Sequence, residues 1–100
     1  MSNGSKKLWE AVHVLVTSDR TIQERLAGAA ISLIQLIGPD PTWSEAHGAE
    51  LQALRQELTS VEASGSEGRI QATTRTLSSE QASKLAERIL GLYTAVKGGI

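Results

Sequence analysis

The chain has no cysteine, which excludes disulfides, thiolate metal sites and a cysteine nucleophile, and suits a reducing compartment. Phenylalanine is absent too, and Trp9, Trp43 and Tyr93 are the only aromatics, so a core has to be built from aliphatic side chains. Neither sign of charge dominates. Positions 1–50 carry four basic and six acidic residues, and positions 51–100 carry six and five; −2 plus +1 gives a net charge of −1. The long-range attraction behind most nucleic-acid and anionic-membrane binding is therefore missing. No apolar run is long enough to cross a bilayer. The uncharged stretch 26–37 falls well short of the roughly 20 residues a span requires. Lys6 and Lys7 followed by apolar residues sketch an export signal, but Glu10 and His13 interrupt it and "TSDR" replaces a small-residue cleavage site, so none is expected.

What is present is helix-forming. Twelve leucines, seven isoleucines and five valines in 100 residues exceed the roughly 20% below which chains tend to stay disordered. Twelve alanines let helices approach closely. Apolar positions recur at spacings of three and four, the mark of one buried helix face. Leu8, Ala11, Val12 and Leu15 predict a helix over 6–16, widened by Trp9, Val14 and Val16. Ile22, Leu26, Ala29, Leu33 and Ile37 predict a second over 20–37, apolar on its other faces as well and so buried on several sides. Its "AGAA" thins the helix for a close neighbour, and Gly38 with Pro39 ends it. Trp43, His47, Leu51, Leu54, Leu58 and Val61 predict a third over 43–61. Ala82, Leu85, Ile89, Leu92 and Val96 predict another over 79–96. Thr21 with Glu24, Thr42 with Glu45 and Ser78 with Gln81 have capping-box spacing at three of these starts. The stretch 69–77 has helical spacing at Ile70, Thr73, Thr74 and Leu77, but its three threonines weaken it. The expectation is an all-α chain: a compact four-helix bundle with short antiparallel connections and a fifth short helix near 69–77. One domain would occupy 6–97, between a disordered lead-in at 1–5 and a flexible tail at 98–100.

Three motifs bear on function. "TIQERLAGAAISLIQLI" loosely resembles the helix-turn-helix of small bacterial repressors, with Thr21, Gln23, Leu26, Ala27, Ala30, Ile31 and Ser32 at about the matching places. That resemblance implies a DNA-binding regulator, and it covers under a fifth of the chain. It departs at the turn, where Ala30 stands in place of glycine, and in the reading helix, which has only Ser32 and Gln35 to bond a base and no cation for phosphate. Glu10 and His13 have the Glu-x-x-His spacing of helical dinuclear metal sites, and His47 and Glu50 have it reversed. Two such motifs in one sense and two more inward carboxylates would be needed, so no metal or cofactor is expected. A small metal- or ligand-binding bundle remains an alternative. His47 sits among apolar positions in a first helical turn, where the dipole disfavours a positive imidazole. It is a candidate for pH sensitivity or ligand contact, as is His13, against the plainer reading of a hydrogen-bonded, partly buried side chain.

Contact residues complete the reading. "SGSEGRIQATTRT" joins glycines and hydroxyls to Arg69 and Arg75 but lacks the Gly-Lys-Ser/Thr ending of a P-loop. Arg69 and Arg75 are candidates because binding groups concentrate on loops, and Trp9 and Trp43 because tryptophan anchors interfaces. More apolar helix surface is encoded in 6–37 than a small bundle hides, which points to association. The expected role is thus a non-catalytic, cytoplasmic protein-interaction module, binding a protein partner or itself as a homodimer. Neither membrane nor nucleic acid is an expected partner, and no catalytic residue is expected.

Overall fold

The computed structural model describes residues 3–34, 44–62 and 68–98, with side chains described within 6–34, 44–62 and 68–96. Five α-helices follow one another, α1 (Asn3–Thr17), α2 (Ile22–Ile34), α3 (Glu45–Leu58), α4 (Arg69–Arg75) and α5 (Ser79–Gly98), with no strand among the described residues. The fold is all-α. The Cα radius of gyration is 12.9 Å, as expected for one compact body of this length.

The second helix is the centre: α2 packs against each of the other four. Leu26, Ala29, Ala30 and Leu33 have no accessible surface, so the inward side of the stretch without charge is shielded by its own fold, while Ile31 stays exposed. They meet Leu8 and Ala11 of α1, the fully buried Leu51, Leu54 and Leu58 of α3, and Ala82 and Ile89 of α5 in one aliphatic cluster. Apart from Ala30, these are positions that the spacings of three and four placed inward. Helix α2 runs unbroken through Ala30, so the tight turn of a helix-turn-helix is not there.

Helices α1 and α2 form an antiparallel pair. The Arg25 guanidinium donates to the Leu15 carbonyl at 3.0 Å, while a Cβ on Gly28 would stand 2.9 Å from Val14 Cγ1. Glycine is needed at that crossing. The thinning of the "AGAA" stretch therefore serves α1.

Several ends differ from the spacing-based expectation. Helix α1 begins at Asn3, inside the stretch expected to be a lead-in. Once Leu8, Ala11 and Leu15 anchor a helix, extending it outward costs far less than nucleating it. Helix α3 starts at Glu45 with Ser44 as its cap, the Ser44 hydroxyl accepting from the His47 amide at 3.2 Å. The expected cap Thr42, together with Trp43 and the end of the second helix at 35–37, lies outside the described residues. At α2, the Thr21 hydroxyl accepts from the Glu24 amide at 3.2 Å, but the Glu24 carboxylate pairs with Arg20 at 3.2 Å instead of turning back. At α5 the box closes in both directions: the Gln81 amide donates to Ser78 Oγ at 3.1 Å and the Ser78 amide to Gln81 Oε1 at 2.9 Å.

Helix α4 forms in spite of its threonines because their hydroxyls find partners. Thr74 Oγ1 donates to the Ile70 carbonyl at 2.9 Å, and Thr76 Oγ1 to the Thr73 carbonyl at 2.7 Å. The Val61 amide, just past α3, donates to Thr73 Oγ1 at 3.0 Å. Gln23 Nε2 donates to the Leu77 carbonyl at 3.1 Å, tying α2 to the turn before α5. The last two bonds, to residues outside it, tie the short helix and the turn after it to the rest of the body.

Candidate functional site: an apolar groove between the first and last helices

Four large apolar side chains stand well out in water among the described residues: Trp9 (45% exposed), Val16 (73%), Ile31 (44%) and Leu90 (49%). Trp9 and Val16 belong to α1 and Leu90 to α5, and these two helices pack side by side. Val16 and Leu90, with Val12, Leu15, Ile22 and Ala86, line a groove of about 230 Å³ whose polar lining is Ser83 and Glu87. The cause is local. On α1 the inward line is Leu8, Ala11 and Leu15; Trp9 and Val16 fall on an adjoining line of the same helix and cannot reach the core with it. On α5, Leu90 directly follows the buried Ile89, a step of one residue that carries its side chain well round the helix. Ile31 sits on α2, apart from this groove.

Each residue singled out in the sequence has a definite place. Trp9 stacks on His13, ring centroids 4.9 Å apart and planes inclined by 25°, and His13 is exposed. Glu10 is bound to Lys7 at 3.3 Å, so Glu10 and His13 do not converge on a common point. His47 is half-buried, at the end of the line of Leu51, Leu54 and Leu58, while Gly48 beside it is buried. Arg69 is exposed and reaches Glu62 only at 4.0 Å. Arg75 lies more than 50 positions from Trp9 and Val16 and lines a separate cleft between α2 and α4, about 390 Å³, with Thr21, Gln23, Glu24, Ala27, Gln71 and Thr74. Trp43 lies outside the described residues. The candidates are thus not all brought together; among the described ones, Trp9 and His13 lie on a helix that borders the groove.

Two features escape sequence reading. Leu90 lies off the stripe of α5, although an extra leucine beside a complete stripe is a signal of surface apolarity. The other is an ion cluster. Arg88 donates to Glu50 through Nη2 at 2.7 Å and Nε at 3.3 Å, and to Glu57 through Nη1 at 2.6 Å. Glu50 and Glu57 are two turns apart on α3, a spacing that places two carboxylates on one side and could have suggested a shared cation. The hydrogen bonds to Glu50, then to Glu57, hold the Arg88 proton more firmly than usual, against the opposing effect of partial burial. The cluster joins α3 to α5 at the partly exposed edge of their contact.

No known protein family, curated protein or solved structure matches the chain. No helix is long and apolar enough to cross a membrane, and no group of three or more metal-ligating side chains gathers, both among the described residues. The geometry on which function can be argued is the groove.

Proposed function

We propose that the chain is a small, non-catalytic, cytoplasmic helical module that works by docking protein on the α1/α5 face. The observation that supports this is the exposure of Val16 and Leu90 on either side of a groove lined by apolar side chains. Exposed apolar side chains cost little singly, but when contiguous they mark a surface that another molecule covers. Trp9 is the large rigid side chain on the same helix and serves as the anchor. The ion pairs Lys7–Glu10 and Arg20–Glu24 belong to the polar surround that keeps the free protein in solution.

The test places a photo-crosslinking amino acid at Leu90 in the native cell, with Gln56, exposed on the polar face of α3, as the control position. A discrete adduct is expected from position 90, absent from position 56, and lost when Val16→Glu is added to the same chain. Adducts of equal yield at both positions, or an adduct at position 90 indifferent to Val16→Glu, would remove the docking role.

A further inference from the structure

Resting on that docking role, we infer that the α1/α5 groove takes an arginine side chain of another protein, its stem along the aliphatic walls and its guanidinium at Glu87. The composition of the lining carries the argument. Apart from Ser83 and Glu87 the lining is aliphatic. Those two stand four residues apart on α5, so they fall on one side of that helix, and both are exposed. A carboxylate and a hydroxyl offer mainly acceptors. The complement of such a lining is a long apolar stem that ends in a cation with several donors. Glu87 is also uncommitted. Its carboxylate makes no ion pair or hydrogen bond among the described residues. Lys84, one turn before it, reaches Glu80 at 3.6 Å instead, and Arg88 beside it turns to Glu50 and Glu57.

Size and charge then select the occupant. A volume of about 230 Å³ is below the roughly 300–1,000 Å³ of sites that enclose a whole small molecule, so the groove has room for one long side chain. A leucine or phenylalanine seated there would strip water from the Glu87 carboxylate and return no hydrogen bond, which opposes docking. A lysine or arginine lays its methylenes on the aliphatic wall and keeps its head at the polar edge. Arginine is the better match of the two. Its planar fork bonds a carboxylate through two parallel N–H groups and leaves further donors for a hydroxyl such as that of Ser83. Guanidinium is also held less tightly by water than ammonium, and arginine is enriched where proteins meet while lysine is depleted.

Nuclear magnetic resonance titration of the isotope-labelled full chain tests this. The probes are n-propylguanidinium, which is the arginine side chain cut off at its Cβ, n-propylurea, which has the same shape without the charge, and n-butylammonium, the lysine counterpart. Saturable shifts are expected at the amides of Val16, Ser83, Glu87 and Leu90, in the millimolar range that suits so small a fragment. The guanidinium is expected to bind about two- to fivefold more tightly than the urea, the margin of a partly exposed ion pair. Glu87→Gln keeps the shape of an exposed side chain and is expected to abolish that margin. Glu45→Gln makes the same change of charge at an exposed position of α3 and is expected to leave it. In the native cell, the peptide crosslinked at position 90 is expected to carry an arginine within a few residues of the adduct. A urea that binds as well as the guanidinium, a margin that survives Glu87→Gln, or tighter binding of n-butylammonium overturns the arginine occupant. Shifts centred elsewhere, or no saturable shift with any probe, overturn it equally. A Val16-dependent crosslink at position 90 to a peptide without arginine also overturns it and leaves docking in place; with no such crosslink, docking falls and the inference with it.

Discussion

At Gly28 two residue-level effects oppose each other. Alanine is a better helix former than glycine by about 1 kcal/mol, yet the added methyl would sit 2.9 Å from Val14 Cγ1. Valine on a helix has one preferred rotamer, so it yields poorly, and overpacking costs about 1–3 kcal/mol. Gly28→Ala is therefore expected to destabilise by about 1 kcal/mol in urea unfolding, and in a Val14→Ala background to stabilise by a similar amount. The reversal of sign is the test; the same sign in both backgrounds means that the contact with Val14 does not decide the outcome. Arg25 poses a related question. Its Nη1 caps the Leu15 carbonyl at the end of α1, but its Nε is buried with no hydrogen-bond partner. A cation at a helix C-terminus stabilises by about 0.3–1 kcal/mol, and the orphan donor offsets part of that. Arg25→Met keeps the stem, removes both effects, and is expected to cost under about 1 kcal/mol. A loss of several kcal/mol in denaturant titration would show the cap to be far stronger than this balance allows.

Helix α4 was the least legible element in the sequence, and it shows what a spacing argument sees. The four longer helices each carry an aliphatic stripe, and those stripes became the core: Leu8 and Leu15, Leu26 and Leu33, Leu51 and Leu58, Leu85 and Ile89 are buried as drawn. Spacing reads repulsion from water, so it finds faces. It does not read hydrogen bonds between distant residues, such as the one from the Val61 amide to Thr73 Oγ1. For the same reason it does not link Glu50 and Glu57 to Arg88, and it leaves Leu90, off the stripe of α5, without a place. The candidate site was legible only in part: excess apolar surface was expected on the first two helices, while the groove needs α5, which no local pattern assigns as the neighbour of α1. The tie at Thr73 can be measured. Thr73 is only 3% exposed, so Thr73→Val keeps its shape and leaves the Val61 amide without an acceptor. An unsatisfied amide of this kind costs about 1–3 kcal/mol. The loss is expected with faster hydrogen exchange at the end of α3 and in α4, and unchanged protection of both would mean that water replaces the hydroxyl.

For the molecule as a whole, the decisive feature is that α2 packs against every other helix. An arrangement of that kind has no peripheral half able to fold alone, because each helix buries its stripe partly on α2. Leu26 is fully buried within α2, so Leu26→Ala removes contacts at the point where the elements converge. Leucine-to-alanine changes in cores cost about 2–5 kcal/mol, depending on how far the cavity collapses. Against a total near 5–15 kcal/mol for a domain of this size, that is a large share. The variant is expected to unfold at markedly lower urea with one transition, the same by far-ultraviolet circular dichroism and by tryptophan fluorescence, since Trp9 on α1 reports the same event that melts α5. Leu90→Glu should leave that transition nearly where it is while weakening docking, because its side chain is already half in water. If Leu26→Ala instead split the two signals into separate transitions, the helices would be two cooperative units. A single surface shared by α1 and α5 could then not persist in the partly folded state, and docking through it would require the fully folded chain.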